Sequence, residues 1–140
     1  MNAASRPALY SPDLLALAVE LADYPYDPTA PLQGEAHSRS CGSSILFSAT
    51  PHNKGMQVKA CAVGQASAAI FVSNCGGKPA EMLERTYRQT AAWLKGEGPM
   101  PDWPGIEMLE PARAYPGRHE AILLPWRAAL DALSKGPVGR

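Results

Sequence analysis

Proline and glycine cut this chain into short segments, and that punctuation limits the folds open to it. Fourteen prolines and twelve glycines stand among 140 residues, grouped between runs of regular apolar spacing. Proline removes a backbone donor and fixes φ, while glycine loosens the chain, so many turns and few long helices are expected. The remaining segments are of two kinds, one with helical and one with alternating apolar spacing.

Ser11-Pro12-Asp13 opens the first helix with a capping hydroxyl, a proline at the first helical position and an acid near the positive dipole end. Leu14, Leu15, Ala18, Leu21 and Ala22 form its apolar stripe, and Tyr24-Pro25 stops it, because the residue before proline avoids helical angles. Residues 1–10 read as a flexible lead and residues 25–36 as a loop, with a short edge strand expected over about 35–41. Ile45, Phe47 and Ala49 alternate with Leu46, Ser48 and Thr50. After the turn at Pro51 to Gly55, Met56, Val58 and Ala60 alternate again, which predicts an antiparallel hairpin.

Small residues after Cys61 (Ala62, Gly64, Ala66, Ser67, Ala68, Ala69) predict a helix able to lie close on a sheet, ending at Gly76-Gly77. Leu83, Tyr87, Ala91 and Leu94 mark a third helix from Pro79 to Gly96. Residues 96–105 form a loop carrying Trp103. Trp93 and Trp103 read either as a partner surface or as packing against that loop. A last helix is expected from about Arg118 to Leu133, with Pro125 kinking it or delaying its regular start, and residues 134–140 as a tail. This order predicts an α+β domain with a small, mainly antiparallel sheet and helices on one face.

The chain length fits one domain, and 46% hydrophobic residues supply one core. Thirteen basic and thirteen acidic side chains balance, which argues against nucleic acid or an anionic membrane surface as partner. No apolar run nears the ~18 residues that span a bilayer. Met1 to Pro7 lacks an apolar signal core, and three cysteines without a paired framework fit a reducing compartment, so a cytoplasmic protein is expected. Enzyme motifs are lacking. Cys75-Gly76-Gly77-Lys78 follows a helix rather than a strand, so it is no phosphate loop, and Ser67-Ala68 is no nucleophile elbow.

Four local patterns stand in a defined order: Cys41-Gly42, Cys61 followed by Ala66-Ser67-Ala68, Gly77-Lys78, and the run from Tyr115-Pro116-Gly117-Arg118 to Trp126. Together they resemble the U-type iron–sulfur cluster assembly scaffolds, the proteins related to IscU, SufU and the NifU N-terminal domain. The resemblance implies a SufE/NifU-like fold, with residues 11–133 as the scaffold domain. It also implies a site built from three cysteines and an assisting aspartate. Cys41 and Cys61 match the first two cysteines, twenty residues apart. Ser43 stands at the aspartate position and Ala121 at the third cysteine, so this chain is a variant lacking that thiol. Arg118 matches the family's arginine and reads as structural support, by pairing with a carboxylate such as Glu110 or by holding the last helix.

His119 and His37 are the candidates for a nitrogen ligand replacing the missing cysteine. Read without the resemblance, a lone histidine is usually hydrogen-bonded or solvated, and a free cysteine is usually a small apolar filler. Cys61 precedes a helix, whose unpaired N–H groups favour a thiolate. Cys75 has no counterpart in the pattern and reads as packing. The resemblance implies no enzymatic turnover. One reading is a scaffold that binds iron, a [2Fe–2S] cluster or zinc through Cys41 and Cys61, with a cysteine desulfurase and iron–sulfur client proteins as partners. The other is a metal-free adaptor docking to a desulfurase or another complex. Either suits a monomer or a homodimer.

Overall fold

The computed structural model describes residues 9–39 and 42–137. Most of the expected lead, Cys41 and the last three residues lie outside the described residues. Strands β1 (Leu32–His37), β2 (Ser44–Ala49) and β3 (Lys54–Lys59) form an antiparallel sheet in the order β1-β2-β3. Leu32 faces Ala49 and His37 faces Ser44 across the first pair, and Ser44 faces Lys59 across the second. The predicted hairpin is β2–β3. The edge strand starts at Leu32, inside the stretch read as a loop, and ends at His37. The three prolines of that stretch all precede Leu32, and only Gly34 kept the strand from view.

Gly34 is in the strand because α4 crosses it. A Cβ there would fall 2.2 Å from the Ala128 carbonyl oxygen and 2.4 Å from the Ala132 nitrogen of that helix.

The helices are α1 (Pro12–Glu20), α2 (Ala62–Val72), α3 (Ala80–Leu94) and α4 (His119–Lys135). Ser11 Oγ accepts a hydrogen bond from the Leu14 amide at 3.1 Å, the predicted cap. α1 passes into a 3-10 turn, Leu21–Asp23, before Pro25. α2 and α4 pack on the sheet, while α1 covers α2 and α3 covers α4. Nine of the eleven α2 residues are buried, so this helix is a central element with no polar face. It ends at Val72, earlier than Gly76-Gly77, and a turn at residues 75–78 follows it.

The core joins Ile45 and Phe47 of the sheet to Phe71, Ile122, Leu124 and Trp126. The Phe71 ring stacks on Trp103 at 5.3 Å and meets Trp126 edge-on at 5.0 Å. Trp103 Nε1 donates to the Ile70 carbonyl at 2.9 Å. Trp93 and Trp103 are 2% and 3% exposed, so packing is correct and the partner-surface reading falls. The cause is a 3-10 segment at Ile106–Ala114, unforeseen in the sequence. It buries Ile106 and Leu109 and folds the long loop over α2.

α4 runs unbroken through Pro125, beginning after a 3-10 turn at Pro116–Arg118. It takes in Ser134 and Lys135, which were read as tail. Lys135 pairs with Asp131 at 2.9 Å one turn back, and Gly136 at φ +72° ends the helix.

Asp131 also accepts the Glu35 amide at 2.9 Å, tying the outer side of β1 to α4. Burial alone would raise its carboxyl pKa. The hydrogen bonds from Lys135 and the Glu35 amide, with the Lys135 charge, outweigh that and hold it below the ordinary value. A lowered folded-state pKa means stability present above the unfolded value and lost as pH falls through the folded one. Asp131→Ala should therefore cost about 1 kcal/mol or less at pH 7, since the group is near solvent. In urea unfolding at stepped pH, the gap between variant and parent should close as the carboxyl protonates.

Candidate functional site

The β3–α2 junction fixes Cys61. Strand β3 ends at Lys59, and Cys61 takes extended angles (φ −67°, ψ 171°) as the residue capping α2. Its carbonyl accepts the Gln65 amide at 2.9 Å, while its side chain makes no capping bond and is half-buried. The Gln65 side chain donates to the Ala60 carbonyl at 2.9 Å, which holds the junction from the other side. The β2–β3 pairing ends at Ser44 opposite Lys59, two residues from Gly42 on one strand and from Cys61 on the other. Gly42 is the neighbour of Cys41, which itself lies outside the described residues.

The β1–β2 connection is pinned at three points. The Ser38 amide donates to the Ser43 carbonyl at 2.9 Å, and the Ser43 amide to Ser38 Oγ at 3.0 Å. The Arg39 amide donates to Glu120 Oε2 at 3.0 Å, so the start of α4 holds this loop. Ser43 is buried beside it.

Ala121 reaches the same corner from α4. It is 1% exposed. A Cβ on Gly64, three residues into α2, would sit 2.7 Å from the Ala60 Cβ and 3.4 Å from the Ala121 Cβ. Three small residues thus let the first turns of α2 and α4 touch. Ser67, one turn further, is fully buried and donates to the Ile122 carbonyl at 2.7 Å. Pro125 has no N–H to offer the Ala121 carbonyl, so that oxygen lacks its usual helical partner.

The histidines are engaged elsewhere. His119 Nε2 lies 3.2 Å from both the Ala112 and Arg113 carbonyl oxygens, tying α4 to the preceding 3-10 segment. His37 is exposed at the end of β1 and pairs with Glu35 at 2.9 Å. Its strand neighbour Ala36 is buried while Glu35 and His37 are exposed, which puts both polar groups on the sheet face away from α4. Glu110 pairs with Arg113 at 3.0 Å, not with Arg118 as suggested by the sequence. Arg118 Nη2 donates to the Tyr10 hydroxyl at 3.5 Å. Cys75 is buried and donates to the Val72 carbonyl at 3.7 Å. Burial pushes its thiol pKa up to about 11, so it is an inert packing residue.

Sequence reasoning missed Glu120, Gly64 and Ser67 as the groups that shape this corner. The signal for Ser67 was present, a hydroxyl inside an otherwise apolar helix. Glu120 was legible only as the neighbour of Ala121. Among the described residues no three His, Cys, Asp or Glu side chains gather closely enough to hold a metal ion. Cys61 is the one thiol at the corner among those residues.

No family model matches the chain, and no curated protein does. Solved structures do. A nitrogen-fixing NifU-like protein (N-terminal) from Brucella abortus is 27% identical, covering 91% of this chain and 93% of its own, with a TM-score of 0.80. A putative iron–sulfur cluster assembly scaffold protein for the SUF system from Fervidobacterium islandicum AW-1 is 19% identical. It covers 89% of this chain and 96% of its own, with a TM-score of 0.74, and it speaks for the fold alone. The element order, the antiparallel three-stranded sheet and the likeness to the Brucella protein over nearly the whole of both chains agree, and the chain has the fold of, and resembles, the U-type, NifU N-terminal-like scaffolds.

Proposed function

We propose that this protein is a carrier in iron–sulfur cluster assembly, holding iron, a [2Fe–2S] cluster or zinc as cargo through Cys61 and Cys41. The observation that carries this reading is the approach of α2, which Cys61 caps, to Ala121 near the start of α4, at Gly64. The described residues of one chain do not complete a ligand shell. A [2Fe–2S] cluster and a structural zinc each take four ligands. Two copies contributing Cys41 and Cys61 apiece supply four thiolates, and two-fold pairing is the commonest oligomer geometry. No helix among the described residues is long and apolar enough to cross a membrane.

The sulfur donor in this proposal is a cysteine desulfurase. The Cys61 thiolate attacks the outer sulfur of the donor's persulfide. The donor's S–S bond breaks, its cysteine leaves as thiolate, and a new S–S bond forms on Cys61. Residue 61 suits the step because it is half-buried rather than sealed and stands at a helix start.

The test is metal, sulfide and visible absorption of protein purified without oxygen. Metal should be retained by the parent and by Cys75→Ser and lost in Cys61→Ser. Equal retention in Cys61→Ser sinks the reading. A metal-free adaptor is the second reading, favoured by the sealed methyl of Ala121. Stable binding to the desulfurase, with no metal and no persulfide on Cys61 by mass spectrometry, would select it.

A further inference from the structure

Outside the thiol corner lies a cleft of about 960 Å³ lined by several charged side chains. It lies between the end of α3, the start of α4 and the β1–β2 loop. That volume is within the range of small-molecule sites, roughly 300–1,000 Å³. α4 contributes Glu120, Leu123 and Arg127 to it. At 3.6 residues per turn these share a face about 100–160° round the helix from Ala121. The cleft and the thiol corner are therefore on different sides of the same helix.

The charges there are unbalanced. Arg39, Lys95, Arg113 and Arg127 line the cleft against the single carboxylate of Glu120. The chain as a whole carries thirteen of each sign, so the cations have been gathered here. Arg113 is fixed in place. Its Nε donates to the Trp93 carbonyl at 2.9 Å, its Nη1 pairs with Glu110 at 3.0 Å, and its guanidinium lies 5.1 Å from the centre of the Trp93 ring. Glu120 is shared between Arg127, at 3.6 Å, and the Arg39 amide. Arg39 and Lys95 have no ion-pair partner among the described residues. Two positive charges are left over, beside the positive dipole end of α4.

We propose that this cleft binds a small multivalent oxyanion, a phosphate or a di- or tricarboxylate. Charge-assisted hydrogen bonds from arginine and lysine suit both ligand types. The inference stands apart from the cargo proposed for Cys61 and does not require it. An occupant would rest against Arg39, two residues from Cys41, and so against the loop that carries that thiol.

The test is calorimetric titration of the full chain with phosphate and with citrate, each at constant ionic strength set by sodium chloride. At least one should bind saturably at one per chain. The double variant Arg39→Gln, Lys95→Gln should weaken it by about tenfold or more, from the loss of charge-assisted contacts. Lys59→Gln, outside the cleft, should change it by less than about twofold, as expected for a screened surface charge. Saturation by phosphate alone assigns a phosphate-type site and by citrate alone a carboxylate-type site. Weak heats with no saturation in either arm would overturn the proposal. So would binding that the double variant keeps with its circular dichroism unchanged, or binding that only an acidic peptide shows.

Discussion

Alanine in place of Gly34 should destabilise the domain by about 3 kcal/mol, near the upper end of what overpacking costs. The added methyl would meet the Ala128 oxygen and the Ala132 nitrogen at 2.2 and 2.4 Å. Both belong to helix backbone, and neither can rotate away as a side-chain tip would. Relief requires α4 to lift from β1, and α4 carries Ile122, Leu124 and Trp126 into the core. A small local insertion would thus open the packing around the largest buried ring. Urea unfolding measures it, as a lowered midpoint with an unchanged slope. Gly117→Ala is the control. A Cβ there has nothing within 4 Å, so the change should stay within about 0.5 kcal/mol. Equal behaviour of the two variants would mean that α4 does not sit on β1 as described.

The other large effect concerns position 121. Ala121→Cys should raise zinc affinity by about tenfold or more, since a thiolate adds both charge and a soft donor. The position is sealed, and its methyl looks toward the first turn of α2. A sulfur there should cost the metal-free protein about 1 kcal/mol through crowding. Bound metal should more than restore that loss by mass action. The expected signature is lower stability in chelator and higher stability with zinc, read from competitive titration and thermal unfolding of both forms. Unchanged affinity would show that residue 121 is not the third ligand position.

Much of the fold could be read from local signals. The Ser11-Pro12 start, the β2–β3 hairpin and the small-residue helix each rest on chemistry within one turn or one strand, and all are found. The errors share another cause. β1 was hidden because Gly34 reads as a loop residue until α4 is known to cross it. The 3-10 segment at Ile106–Ala114 follows neither helical nor strand spacing, so Trp103 was left with two readings. Pro125, expected to kink the last helix or delay its regular start, lies within α4, which continues past it to Lys135. At the candidate site, Cys61 and Ala121 are proposed from a matched motif, not from spacing. What brings residue 121 to the corner is Gly64, and what holds the β1–β2 loop there is Glu120. Both contacts join parts of the chain more than fifty residues apart.

Both borders of the sheet are occupied at mid-length. Asp131 takes the Glu35 amide on the β1 side, and on the β3 side the Met56 amide donates to the Tyr24 carbonyl at 2.9 Å, with Pro25 bridged beside it. An incoming strand would have to strip away these contacts before it could pair. Recognition by backbone addition is therefore closed at the middle of each border. Two copies pooling their thiols would have to meet through loops and helix surfaces, leaving two separate three-stranded sheets rather than one of six.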